Sequence, residues 1–400
     1  MPILYYHTIF FTFLKLGCLS FGGPAAHLVF FHQTCVKQLN WLDDAEYAQL
    51  VALAQILPGP TSSQVGLAIG YVKKGYYGAV LAWLGFTLPS ALLMTLIAVL
   101  GQSFFPFISS AFFHNIQLVV LAVVIWAFWQ MLRSFCTQLW QYILMLSCTL
   151  LLYTLDLAIN QILIIFIAAL VGIGFNRFSP LVQGEKSVDQ AFISQVSLTQ
   201  KMNAFFWLLL FILPFCLFQF FAAFQAVTFF ESFYRTASLV FGGGHIILPF
   251  LHQDFVTSNL VSAEKFDLGY AFAQLMPGPL FSFASYIGAL IPITDYPVLN
   301  AGIATISVFL PSFFLIFATL PYWSWWMNQT YIRHAVIGIN AGVVSLLLYL
   351  LIEMATDSIV HFTDFIFVTV VVGLLKTQLP VWLSLVGSVF VYQIIFFLLT

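Results

Sequence analysis

The chain contains very few charged residues. Asp, Glu, Lys and Arg make up only 6% of its 400 residues, and 62% of the residues are hydrophobic. An ordinary soluble domain has about a quarter of its residues charged, and no soluble fold could hide so much apolar surface. The composition therefore predicts an integral membrane protein, and apolar runs of roughly 17 to 25 residues, long enough to span a bilayer, recur along the chain.

Other features that the chain lacks exclude further classes of protein. Lys and Arg form no cluster and the net charge is −2, which excludes a nucleic-acid partner. Five cysteines show no CxxC spacing, which predicts neither a disulfide framework nor a zinc site. No Ser-His-Asp, P-loop or paired-carboxylate signature is present, so we predict no enzyme, no cofactor and no metal. The N-terminus lacks a basic region before its apolar run, which predicts a retained first segment rather than a cleaved signal peptide.

Two sequence elements that break helices occur twice, in the same order. The first half has Ser-Phe-Gly-Gly-Pro at 20–24 and Ala-Gln-Ile-Leu-Pro-Gly-Pro at 54–60. The second half has Phe-Gly-Gly-Gly at 241–244 and Ala-Gln-Leu-Met-Pro-Gly-Pro at 273–279. Doubled broken helices in apolar sequence are typical of transporters whose substrate site lies between two repeats.

The repeat spans most of the chain, because a shift of about 220 residues also aligns Leu-Pro-Ser at 88–90 with the same triplet at 310–312. We predict an all-helical membrane protein with four parts, which are a first repeat (1–178), a polar cytoplasmic linker (179–202), an extra transmembrane helix (203–222) and a second repeat (223–400). One extra crossing would invert the second repeat. The basic residues then favour a cytoplasmic N-terminus. Whether 33–58 and 253–277 are re-entrant stays open.

Pro-Gly-Pro interrupts the helical hydrogen-bond ladder in the middle of an apolar run. Irregular backbone at membrane depth is tolerated only beside protein or a water-filled cavity. Each proline suits the first turn of a new helix, whose free N–H groups attract an anion together with the hydroxyls of Ser63 and Ser282. Consecutive glycines form a similar nest of N–H groups. The alternatives are a proline kink and close glycine packing that only shape how helices pack.

Two cations occupy equivalent positions in the repeats. Lys15 and Arg235 each lie six residues before a Phe-Gly-Gly element, inside apolar sequence. A cation within a membrane segment is a candidate functional residue, and two of them suit a doubly charged anion. The alternative is that the side chains reach the membrane surface.

Acidic residues and histidines lie near both breaks. The carboxylates of Asp43, Asp44, Glu46, Glu264 and Asp267 are predicted to cap the following helices, with proton coupling as the alternative. The histidines that accompany the glycine elements, His27 and His245, are candidate proton carriers.

In combination, these motifs resemble those of the chromate ion transporter family in its long, two-domain form. A further resemblance lies in Gly-Ile-Asn-Ala-Gly-Val-Val at 338–344. The resemblance implies a bacterial cytoplasmic (inner) membrane protein that exports chromate, with sulfate as competitor. A carrier of another small anion and a membrane-embedded enzyme remain as alternatives, and the sequence leaves open whether the chain forms a homo-oligomer.

The sequence thus predicts an oxyanion site where four helix ends converge near the bilayer midplane, with alternating access from rocking of the repeats. The predicted substrate-binding residues are Lys15, Ser20, Gly22, Gly23, Gln55, Gly59, Ser63, Arg235, Gly242, Gly243, Gln274, Gly278 and Ser282.

Overall fold

A computed structural model describes residues 5–104, 109–154, 160–175, 198–221, 223–241, 244–322, 329–377, 383–390 and 392. The described residues are almost entirely helical and contain no strand. The first half contains α1 (Tyr6–Leu19), α2 (Gly23–Phe31), α3 (Asp44–Ile56), α4 (Thr61–Phe104), α5 (Ser110–Phe135), α6 (Leu139–Thr154) and α7 (Asn160–Phe175).

The second half repeats this order after one additional helix, α8 (Leu198–Phe221). It contains α9 (Gln225–Leu239), α10 (Ile247–Leu251), α11 (Ala263–Leu275), α12 (Phe283–Leu290), α13 (Pro297–Thr319), α14 (Thr330–Ser358), α15 (Phe362–Leu375) and a helical run at 383–390. Most of the predicted linker, together with Gly242 and Gly243, lies outside the described residues.

Local backbone details recur at matching places in the two halves. A π-helical segment follows α2 (His32–Gln38) and another follows α10 (His252–Thr257). The left-handed residues Asn40 (φ 49°) and Asn259 (φ 60°) lie two residues beyond the ends of these segments. Asparagine tolerates this conformation better than most residues, so both halves make the same turn with the same residue type.

The helix α4 is a hairpin of two limbs rather than one straight rod of 44 residues. Lys74 and Gly75 leave the helical conformation, and Gly75 has a φ of 61°. Gly70 and Gly78 then bring the two limbs so close that a Cβ on either would collide with the backbone of the other. The limbs 61–73 and 76–104 therefore correspond to α12 and α13, which are separate helices in the second half.

The length and hydropathy of the helices are those of a multi-pass membrane protein. Within the described residues, five helices are long and apolar enough to cross a bilayer, namely Thr61–Phe104, Ala111–Phe135, Met202–Phe221, Pro297–Tyr322 and Thr330–Ser358. Large apolar side chains such as Leu150, Phe166, Phe205 and Phe220 are exposed, as is expected where lipid replaces water.

The two halves meet along α4, α12 and α13, and also where α14 packs on α5, α6 and α7. Trp83 on α4 packs edge-to-face on Phe309 and Phe313 of α13, with ring centroids 5.7 Å and 5.3 Å away. The additional helix α8 contacts both halves, because Trp207 donates a hydrogen bond to the Tyr76 hydroxyl and Tyr234 donates one to the Phe211 carbonyl. This interface places the broken ends of the helices at the centre of the protein.

Candidate functional site

The Pro-Gly-Pro element of each repeat is hydrogen-bonded to the end of a helix in the other repeat. The Gly59 N–H donates to the carbonyl of Val240 at 2.7 Å, and the Gly278 N–H donates to the carbonyl of Ser20 at 3.0 Å. Val240 and Ser20 end α9 and α1 at equivalent positions. The two bonds are therefore the same interaction made twice, and they tie all these helix ends into one assembly at the repeat interface.

Both Pro-Gly-Pro glycines need their conformation and lack of a side chain. Gly59 and Gly278 have φ values of 124° and 96°, which favour glycine. A Cβ on Gly59 would lie 2.6 Å from the hydroxyl of Ser312, and one on Gly278 would lie 2.9 Å from the hydroxyl of Ser90. Since Ser90 and Ser312 end the two Leu-Pro-Ser elements, all three duplicated motifs meet here, each against the opposite repeat.

Helices begin directly after these breaks. The first helical residue after Pro60 is Thr61, and Pro279 caps the 3-10 turn Leu280–Ser282 that leads into α12. The sequence predicted that each proline lies in the first turn of the new helix. In the structure each proline lies one residue before that turn. The first-turn N–H groups have no partner within their own helix, so the start of α4 presents N–H donors and a positive dipole end.

The glycine element of the first repeat also lies at the beginning of a helix. Gly22 caps α2 with a φ of 97°, and Gly23 begins the helix. A hydrogen bond of 3.2 Å between His27 Nδ1 and the Ser62 hydroxyl connects the middle of α2 to the first turn of α4. The buried ring of His27 also packs edge-to-face on Phe86. The short helix α2 therefore lies against the beginning of α4.

Several buried hydroxyl and amide groups without a hydrogen-bond partner lie on the helices that form these breaks. They include the side-chain oxygens of Ser20, Ser63, Gln64, Thr87 and Thr236. A buried polar atom without a hydrogen bond is unfavourable, by about 1 to 3 kcal/mol, and such groups are usually satisfied by water or a ligand. The breaks are therefore suited to a hydrated or polar occupant.

The equivalent serines of the two Pro-Gly-Pro elements differ. Ser63 is buried and its hydroxyl has no partner, whereas the Ser282 hydroxyl donates to the Pro279 carbonyl at 2.7 Å. The equivalent glutamines also differ, because Gln55 is exposed and Gln274 contacts His245 Nδ1 at 3.4 Å. Sequence reasoning predicted all four residues but could not distinguish between the repeats.

The predicted cations lie apart from these helix ends. Lys15 is on the exposed face of α1, opposite Gly17, which packs against α4. Arg235 is two-thirds or more buried and donates to both oxygens of Asp254, at 2.8 Å and 2.9 Å, with Glu231 3.9 Å away. The equivalent of Asp254 in the first repeat is Thr34. Lys15 makes no ion pair within the described residues.

Of the carboxylates in the first repeat, two cap α3 as expected. Asp43 and Glu46 form a reciprocal capping box. Asp44 is exposed and accepts hydrogen bonds from Lys37 and His32. The hydrogen bond from Lys37, and then that from His32, holds the pKa of the Asp44 carboxyl below its usual value. In the second repeat the cap position of α11 is Ser262, and Asp267 lies beyond the first turn.

Comparison with known proteins gives one consistent result. A family model described as "Chromate transporter" matches residues 7–173 and 227–392, two segments that lie within the predicted repeats. The resemblance inferred from the motifs is therefore confirmed, and the chain is a transporter rather than an enzyme.

Curated relatives cover most of the chain. A chromate transport protein of Cupriavidus metallidurans is 27% identical over 91% of this chain and 86% of its own length. A probable chromate transport protein of Synechococcus elongatus is 28% identical over 78% and 74%, and a chromate transport protein of Pseudomonas aeruginosa is 28% identical over 78% and 72%. No solved structure matches the chain.

Proposed function

Because the chain belongs to the chromate transporter family, we propose that it carries chromate, a tetrahedral dianion, across the membrane. The observation that carries the proposal is the pair of reciprocal hydrogen bonds, Gly59 to Val240 and Gly278 to Ser20, which join the helix breaks of both repeats. Relatives named as chromate transport proteins support the choice of substrate. Sulfate has the same shape and charge, so we expect it to compete.

Transport is proposed to be secondary and to proceed by alternating access. Two repeats that meet at broken helices support a mechanism in which one repeat rocks against the other. We further propose that the second repeat is inverted by the crossing of α8, that the N-terminus is cytoplasmic, that the protein lies in a bacterial inner membrane and that it exports its substrate. The distribution of Lys and Arg supports this orientation.

The anion is proposed to bind at the beginnings of α2 and α4. The N–H groups there and the unpartnered hydroxyls of Ser20 and Ser63 are donors that an oxyanion requires. The N–H groups of Gly59 and Gly278 already donate to carbonyls, so in this conformation these glycines hold the assembly together. Gly22 and Gly23 supply N–H groups, and their second-repeat equivalents Gly242 and Gly243 lie outside the described residues.

The remaining predicted residues take supporting roles in this proposal. Lys15 adds positive potential from the outer face of α1, and Gln55 lies exposed on α3 before the break. Arg235, held by Asp254, keeps α9 in place. Gln274 and Ser282 support the break in the second repeat. Gln274 contacts His245, and the Ser282 hydroxyl donates to the Pro279 carbonyl.

The test is uptake of labelled chromate into everted membrane vesicles, with and without excess sulfate. Saturable uptake that sulfate blocks would support a dianion carrier working in the export direction. No saturable uptake, in vesicles shown to contain folded protein, would contradict chromate as the substrate, and a panel of other small anions would then be measured.

The two equivalent serines provide a matched pair for the binding site. Ser63→Ala removes a free donor, so we expect the KM for chromate to rise about tenfold, as for loss of one hydrogen bond to a charged group. Ser282→Ala removes a hydroxyl that already has a partner, so its KM should change much less. Equal KM values for both variants would argue against the first-repeat break as the binding site.

A further inference from the structure

The second repeat contains a buried carboxyl group that the anion site does not use. Asp267 on α11 is only 5% exposed and makes no ion pair within the described part of the chain. Gln117 on α5 and Glu264, one turn earlier on α11, are polar neighbours that act on its carboxyl group. Because Asp267 lies beyond the first turn of α11, it does not cap that helix.

A carboxyl group in such a place has two states of very different energy. A buried anion without a cation is strongly unfavourable, whereas a protonated carboxyl bonded to an amide is tolerated. Ionisable residues inside membrane proteins are therefore rare and commonly serve proton transfer. Burial therefore favours the protonated form of the Asp267 carboxyl, and access of water would favour release of the proton.

Several ionisable groups on the elements packed against α11 have other partners. His114 on α5 lies 3.3 Å from Asp364, Asp254 on the π-helical segment pairs with Arg235, and His252 on the same segment packs on Phe266. Tyr286 on α12 donates to the carbonyl of Lys265. None of these groups is an ion-pair partner of Asp267.

A polar stripe connects Asp267 to the Pro-Gly-Pro break. Asp267, Tyr270 and Gln274 are spaced i, i+3 and i+7, which places them on one face of α11 over about 10 Å. His245, directly after the glycine element, lies 2.7 Å from the Tyr270 hydroxyl and 3.4 Å from the Gln274 amide. Four residues further on, Gly278 donates to the Ser20 carbonyl at the repeat interface.

The first repeat has no equivalent stripe. The residues aligned with Asp267 and Tyr270 are Ala48 and Val51, and Gln55 at the third position is exposed. The carboxyl and the phenol on this helix face are therefore features of the second repeat.

We propose that Asp267 is the proton-binding site that couples chromate transport to a pH gradient, acting through Tyr270, His245 and Gln274. The inference rests on the proposed function, since it names the second ion of the same carrier. Proton binding and release at Asp267 would accompany the change in packing between α11 and α5, on which Gln117 lies.

The test compares two modes of transport by purified protein in liposomes. Exchange of labelled for unlabelled chromate requires no net proton movement, whereas accumulation driven by an imposed pH gradient does. In Asp267→Asn, we expect exchange to stay near the wild-type rate and gradient-driven accumulation to fall at least about tenfold, because the amide cannot release a proton. Asp267→Glu should restore part of the accumulation.

Asp295→Asn is the matched control, because it removes an exposed carboxyl of the same repeat that has no contact with Asp267, and it should leave both modes unchanged. Gradient-driven accumulation at the wild-type level in Asp267→Asn would overturn the proposal while leaving the carrier function intact. Wild-type liposomes that exchange no chromate would overturn the proposed function and this inference with it.

A measurement on the wild-type protein covers the case in which Asp267→Asn does not fold. A pH-sensitive dye inside the liposomes should report proton movement when chromate is added outside, beyond that in protein-free liposomes. Chromate transport without such a pH change would also overturn the proposal.

Discussion

The hairpins that carry the two Pro-Gly-Pro elements have the same construction but different surroundings. In the first repeat, α3 packs mainly on α4 and on its own π-helical segment. In the second repeat, α11 packs on α4, α12 and also α5 of the opposite repeat. Gln55 is consequently exposed, whereas most of α11 from Phe266 to Ala273 is buried. Duplication kept the backbone and changed the neighbours.

The different burial of α3 and α11 bears on how a transporter can open towards one side of the membrane. Two repeats in identical surroundings would give a symmetric protein with no reason to open towards one side. Because only α11 is covered by the other repeat, the described conformation is asymmetric. Under the proposed alternating access, the second state would exchange these roles, with α3 covered and α11 released. Variants at equivalent positions of the two repeats should therefore differ in chromate transport and in Tm.

Replacing the Pro-Gly-Pro glycines should have the largest effect. Gly59→Ala and Gly278→Ala both force alanine into the left-handed region, at about 1 to 2 kcal/mol. The new Cβ of Gly59→Ala would also lie 2.6 Å from the Ser312 hydroxyl and from the buried Gln64 amide, and that of Gly278→Ala would lie 2.9 Å from the Ser90 hydroxyl. We expect both variants to lose most chromate transport and to have a lower Tm than wild type.

Gly302→Ala is the control for these substitutions. Gly302 lies in α13, and a Cβ there would have no neighbour within 4 Å. Alanine should therefore be tolerated or slightly stabilising in that helix. If Gly59→Ala and Gly278→Ala transported chromate like Gly302→Ala, the reciprocal arrangement of the breaks would have no role in transport.

Of the two equivalent cations, we expect Arg235 to contribute to stability and Lys15 to contribute to transport. Arg235→Met leaves Asp254, only 12% exposed, without its partner, which typically costs about 3 kcal/mol. We expect a clear fall in Tm for this variant, and Asp254→Asn added to it should recover part of the loss. Lys15→Met removes an exposed cation that has no ion pair, so Tm should hold while the KM for chromate rises. A lowered Tm in Lys15→Met with unchanged transport would refute this division of roles.

The sequence predicts the scaffold well and the site only in part. Gly and Pro impose backbone conformations directly, so the breaks at Gly22, Gly59 and Gly278 could be located from residue identity alone. Ser63 could be found because it follows a break. The ion pair of Arg235 with Asp254 could not be predicted, because the two residues come together only through the packing of α9 on the π-helical segment. The cross-repeat hydrogen bonds are likewise a property of tertiary structure.

The smallest effect is expected at Asp44, which begins the exposed helix α3 and has no equivalent carboxylate in the buried helix α11. Asp44 accepts hydrogen bonds from Lys37 and His32, whereas the equivalent of Asp44 in the second repeat is Ala263. Since the pKa of Asp44 is lowered in the folded protein, its contribution to stability is present above the usual carboxyl pKa and is lost as the pH falls through the lowered value.

Asp44→Asn should therefore lower Tm slightly at neutral pH, since exposed ion pairs contribute little. The difference from wild type should disappear in acid, where the wild-type carboxyl is also neutral. Thermal unfolding in detergent between neutral and acidic pH checks this, with Lys37→Met as a second variant that should show the same trend. A Tm difference that persisted after protonation would mean that Asp44 stabilises α3 through its position in the first turn rather than through its charge.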